Sequence, residues 1–166
     1  LRMTEDRKDF EPYKRFGWEK AARMLPVEFR FRTIRDAKSA IADYFELLAR
    51  FPGYRPFSER IRELIPLLPG PVERADALFR LSGYEVHTGG AYALELAEIA
   101  GNLVSEGRLE QAERIYRQAV ALAPHDLWHQ THLADTLMAQ GNADEAVLYY
   151  ADVLERAPES PYSATQ

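Results

Sequence analysis

An all-α fold, built from helical hairpins stacked on one another, is predicted for this 166-residue chain by three observations. Six residues recur at a constant separation: Ala100, Leu103, Gly107, Ala112, Tyr116 and Pro124 return as Ala134, Leu137, Gly141, Ala146, Tyr150 and Pro158, each 34 residues on. Within each copy the apolar residues keep helical spacing. The glycines and prolines fall where those stretches stop, the usual places for a left-handed cap and a helix end.

Taken in chain order, residues 1–56 predict a helical N-terminal extension. Phe10, Tyr13, Trp18, Ala21 and Leu25 suggest a first helix, interrupted by Gly17 and ended near Pro26. Between Pro26 and Thr33, Val27, Phe29 and Phe31 alternate with Glu28, Arg30 and Arg32, which is strand periodicity and predicts a short extended segment at 27–33. Ile34, Ala37, Ile41, Tyr44, Phe45, Leu48 and Phe51 then form a helical stripe ended by Pro52-Gly53. Residues 57–90 form a candidate degenerate hairpin: Ala75, Leu78, Phe79 and Ser82 echo Ala112, Ile115, Tyr116 and Ala119, although Pro66 occupies a small-residue position. Residues 91–166 hold the two clear copies, with helices expected near 91–106, 109–122, 126–140 and 143–156.

The pattern resembles the tetratricopeptide repeat, whose consensus runs W-x2-L-G-x2-Y, A-x3-F, P. The first copy reads Leu96-x2-Ile99-Ala100-x2-Leu103, Ala112-x3-Tyr116, Pro124; the second reads Gln130-x2-Leu133-Ala134-x2-Leu137, Ala146-x3-Tyr150, Pro158. Leu96 and Gln130 depart from the consensus tryptophan, and Val153 stands where the first copy has Ala119. The resemblance covers about 93–158 and implies hairpins stacked in a short right-handed superhelix.

It also implies a groove lined by the first helix of each hairpin, at Leu94, Ala97, Glu98, Gly101, Val104 and Ser105, then Trp128, Thr131, His132, Asp135, Met138 and Ala139. Family members that bind chaperones clamp a terminal carboxylate with lysine, asparagine and arginine. Here the matching positions hold Ala97, Gly101 and His132, with no lysine, so no clamp is expected. Leu94, Glu98, Trp128, Thr131, His132, Asp135 and Met138 are the candidate partner-binding residues. The acids suit a basic or amphipathic peptide, with Trp128 and Met138 as apolar anchors.

Three of the chain's four histidines lie in His125-Asp-Leu-Trp-His129-Gln-Thr-His132. Bare helical spacing puts them on one side, which raises a metal site and a metal-dependent activity. The repeat divides them: His125 to a turn, His129 towards the preceding hairpin, His132 to the groove. No HExxH supplies a general base. The preferred reading is a packed or solvated histidine on a recognition helix, with no cofactor.

Other chemistry finds little support. The chain has no cysteine, which removes disulfides and thiolate chemistry. No serine sits in a nucleophile elbow and no glycine-rich phosphate loop is present. Residues 1–90 carry 17 Lys+Arg against 14 Asp+Glu, while residues 91–166 carry 4 against 12. So acidic a C-terminal half disfavours nucleic acid, and Arg30, Arg32 and Arg35 beside Phe29 and Phe31 read better as solvated arginines around a packing segment. No apolar run reaches the roughly 20 residues of a membrane span. Cytoplasm and periplasm both fit, the first slightly favoured.

The last repeat is unfinished at its edge. Glu113, Arg114 and Arg117 become Val147, Leu148 and Ala151 one repeat later, so the terminal helix is the more apolar. Glu159–Gln166 is too short and polar to cover it, and exposed apolar faces of this kind mark interfaces. Further repeats or self-association at this edge are expected. The expected function is therefore protein–protein interaction, as a scaffold or adaptor within a larger repeat protein. The alternatives are metal-dependent activity at His125, His129 and His132, or an N-terminal functional region that the repeats dock.

Overall fold

A computed structural model describes residues 18–85 and 89–157. Eight α-helices and one short 3-10 turn account for the regular structure among them. The chain divides into two compact units, residues 1–68 and 69–166.

In the first unit, α1 (Trp18–Ile34), α2 (Ala37–Arg50) and α3 (Arg55–Leu64) are followed by the 3-10 turn Ile65–Leu67. α2 begins where Asp36 accepts a hydrogen bond from the Ser39 amide at 3.1 Å, an N-cap that satisfies one orphan donor. It buries Ala37, Ile41, Tyr44, Phe45 and Leu48, the stripe expected from the sequence. Ile34 is not part of that helix: it ends α1, exposed, and Arg35 at φ +59° turns the chain. Tyr44, Phe51, Tyr54 and Phe57 pack ring against ring, Tyr54 and Phe57 edge-on at 4.6 Å between centroids.

Residues 27–33 are not extended. They lie inside α1, and Pro26 sits within the helix without ending it. The period that matters is Ala21, Met24, Val27 and Phe31, three or four apart: the first three are buried and Phe31 half-buried. Phe29 is 74% exposed, so its place in an alternating row was coincidence. The extended reading also missed Glu28. Its carboxylate receives Arg60 Nε at 2.7 Å, Arg60 Nη2 at 2.8 Å and the Tyr44 hydroxyl at 2.5 Å, which ties α1 to α2 and α3. Burial works to raise the Glu28 pKa, but the bonds from Arg60 and Tyr44 outweigh it and hold the carboxyl below its usual range. The part of the expected first helix at Phe10 and Tyr13 lies outside the described residues.

The second unit holds α4 (Pro71–Ser82), α5 (Gly89–Ser105), α6 (Leu109–Leu122), α7 (Leu127–Ala139) and α8 (Ala143–Arg156). α5 pairs with α6 and α7 with α8; α6 also packs on α7, and α4 on α5 and α6. The four repeat helices fall within two residues of the sequence expectation. α4 buries Ala75, Leu78 and Ser82, the positions that echo Ala112, Ile115 and Ala119. The boundary between the units falls inside 57–90, so the two helices of that candidate hairpin belong to different units.

The repeated residues do the same work twice. Gly107 at φ +74° and Gly141 at φ +85° are left-handed. Arg108 N bonds Leu103 O and Gly107 N bonds Val104 O, both at 2.9 Å. One repeat later, Asn142 N bonds Leu137 O at 2.9 Å and Gly141 N bonds Met138 O at 3.0 Å. This is the Schellman closure of a helix end. Ala100, Ala112, Ala134 and Ala146 are all fully buried, as close helix crossing requires.

Candidate binding groove

The face built by α7 starts from its cap. Asp126 accepts the Trp128 amide at 2.9 Å, which fixes the helix start and sets Trp128 in the first turn. Trp128 is 52% exposed. The ring of His132, one turn on, meets the Trp128 ring edge-on with centroids 4.1 Å apart. It also stacks on Tyr116 of α6, nearly parallel at 11° and 5.9 Å. Asp135 follows, exposed, with an oxygen 4.0 Å from His132 Nδ1. Met138, exposed, continues the row, while half-buried Thr131 turns its hydroxyl to Leu127 O at 2.8 Å.

α5 presents the same repeat positions one hairpin earlier. Leu94 and Glu98 are exposed, in register with Trp128 and His132. Ala97 is buried and Gly101 half-buried. At these positions exposed apolar groups, Leu94 on α5 and Trp128 and Met138 on α7, accompany the exposed acids Glu98 and Asp135.

Two residues matter more here than sequence reasoning assigned. Tyr116 is the shelf under His132. Its hydroxyl lies 3.5 Å from where a Cβ at Gly101 would sit, an ordinary van der Waals distance. Burial, helped by the Asp135 charge, raises the Tyr116 pKa. Tyr150 donates its hydroxyl hydrogen to Asp135 at 2.5 Å, and that bond raises the pKa of Tyr150. The signal was present in the period, since Gly101 and Tyr116 correspond to Asp135 and Tyr150.

The three histidines sit in different surroundings. His125 is exposed in the turn before α7, His129 is wholly buried, and His132 is half-buried on the outer face. Neither ring nitrogen of His129 has a hydrogen-bond partner, and the nearest carboxylate oxygen, on Asp126, is 3.5 Å from Nε2. Burial lowers the His129 pKa, with Asp126 acting in the opposite sense. Among the described residues, no three histidine, aspartate or glutamate side chains are placed to share an ion. No helix among them is long and apolar enough to cross a membrane.

At the far end, Val147, Leu148 and Ala151 are exposed on α8 together with Leu154. The internal helix differs in kind: Arg117 of α6 bonds Glu113 and Glu145, both at 2.8 Å, and Arg114 pairs with Asp76. Ile115, Tyr116 and Ala119 of α6 are buried, whereas Tyr149, Tyr150 and Val153 at the same positions of α8 are half-buried. Glu159–Gln166, judged too short to cover this face, lies outside the described residues.

Residues 103–166 match the family model of the tetratricopeptide repeat. No curated protein matches the chain. Among solved structures, the chain is similar to MamA 41-end from Desulfovibrio magneticus RS-1 at 15% sequence identity and a TM-score of 0.40, over 80% of this chain and 75% of that one. A second MamA crystal structure matches at 18% identity and the same TM-score, again over 80% of this chain and 75% of the other.

Proposed function

We propose, with the tetratricopeptide-repeat match of residues 103–166 as premise, that the chain is a non-catalytic scaffold or adaptor whose α5–α7 face binds a basic or amphipathic peptide segment of a protein partner. The observation that carries this reading is the arrangement on α7. An exposed indole is held in place by a capped helix start, a stacked histidine braces it, and a carboxylate lies one turn further along. A lysine or arginine of a ligand can lie across the Trp128 face by cation–π attraction and reach Asp135 with its charge. Leu94 and Met138 then accept apolar side chains on either side.

The acidic balance of residues 91–166 supports the same ligand, because it attracts cations and repels anions. The test is selection of peptides from a random-sequence library on the full chain. Sequences enriched in lysine or arginine next to apolar residues are the expected outcome. Enrichment of acidic sequences, or undiminished binding of the selected peptides by a Trp128→Ala, Asp135→Lys double variant, would refute the reading.

A further inference from the structure

Two helices of this chain carry exposed apolar stripes of opposite charge. On α1, Ala22, Leu25, Pro26 and Phe29 fall on one side at helical spacing, all exposed, with Arg30 and Arg32 flanking the stripe. Phe29 alone leaves 74% of its surface in water. On α8, Val147, Leu148, Ala151 and Leu154 form a comparable stripe, with Leu148 at 70% and Leu154 at 77% exposure. Asp144 and Glu155 lie at its two ends, exposed. Four basic residues stand against two acidic ones in Trp18–Ile34, and four acidic against one basic in Ala143–Arg156. That one base, Arg156, is turned to Asp152 at 2.7 Å and to Pro124 O at 3.0 Å.

We propose that these stripes are two halves of one contact: the α8 face of one copy docks on the α1 face of a second copy, head to tail. Burying Phe29 and Leu25 against Leu148 and Leu154 removes both apolar faces from water. Arg30 is bonded to Asp43 of α2 at 2.6 Å, so the selection rests on the overall balance: the basic excess of α1 and the acidic excess of α8 favour this pairing over α1 with α1 or α8 with α8, where like charges would meet. A heterologous contact of this kind leaves one free face at each end of the assembly, so copies add in series unless the rotation closes a ring.

The test uses the full chain in sedimentation or light scattering across a concentration series. The expected mass exceeds the 19.0 kDa of one chain and rises with concentration, and association weakens in high salt. Phe29→Asp and Leu148→Asp, both at exposed positions, are each expected to weaken association at least tenfold while leaving the circular dichroism spectrum unchanged. Mixed in equal amounts, these two variants are expected to recover a species of twice the monomer mass and no larger. Each brings one intact face and blocks the other. A symmetric dimer through α8 would survive Phe29→Asp, and that result overturns the proposal. So does a wild-type chain that stays monomeric at every concentration, or a mixture that fails to pair.

Discussion

His132 lies against Tyr116 with ring planes at 11° and centroids 5.9 Å apart, so a residue of the candidate binding face of α7 stacks on a ring buried in α6. This contact links the candidate binding face to the packing between hairpins. On the proposed reading, a ligand at Trp128 and His132 would meet a surface stiffened from beneath, which lowers the ordering cost of binding.

The twin glycines should respond alike. A Cβ at Gly107 or Gly141 meets no atom within 4 Å, so the cost of alanine there is the left-handed backbone alone. Gly107→Ala and Gly141→Ala are each expected to destabilise by about 1–2 kcal/mol. Gly90, in the first turn of α5 with open space around it, is expected to gain up to ~1 kcal/mol from alanine. Denaturant titration of the three variants checks both signs.

His129 should make the repeat unit sensitive to mild acid. Its pKa is lowered in the folded state, so the unfolded chain binds its proton first as pH falls. Stability is therefore fully present above about pH 6.5 and is lost progressively below it, until the folded-state value is passed. His129→Leu removes two buried, unpartnered nitrogens and the proton linkage together. Thermal midpoints at pH 7.5 and 5.5 should differ for the wild type and differ less for the variant. An equal shift in both would assign the acid sensitivity to another group.

The Glu28–Arg60 pair should behave as a structural tie. Both side chains are only partly exposed and the bond is bidentate. Arg60→Ala is expected to cost about 2 kcal/mol, below the 3–5 typical of a fully buried pair because water still screens this one. Because the Glu28 pKa is depressed, the stabilisation is complete above about pH 4.5 and fades as pH falls through the folded-state value. Urea titration of Arg60→Ala and Glu28→Gln at pH 7 and pH 4 checks this. The gap to wild type should narrow at the lower pH.

The repeat half was legible because its constraints are local and recur. Gly107 and Gly141 mark helix ends by backbone geometry alone, and Ala100 and Ala134 mark crossings by size, so one period exposes all four. The first half of α1 was legible from Trp18, Ala21 and Leu25, but its continuation past Pro26 was not, because Val27, Phe29 and Phe31 satisfy a two-residue period by accident and Pro26 looks like a stop. The helix there is decided by tertiary contacts, above all Arg60 and Tyr44 reaching Glu28 from 32 and 16 residues away. The groove positions came from register, but the ring beneath His132 and the Tyr150–Asp135 bond depend on which rotamers the packed hairpins allow. Spacing carries no information on that.

The account rests most directly on Trp128 and Asp135 as a joint recognition element for a basic segment. The decisive measurement is titration calorimetry of a peptide selected on the wild-type chain against wild type, Trp128→Ala, Asp135→Lys and the double variant. Each single change is expected to weaken binding about tenfold or more, as loss of an aromatic anchor or of a paired charge does at an interface centre. The double change should abolish binding while leaving the thermal midpoint near that of wild type. Full affinity in the double variant would contradict the account.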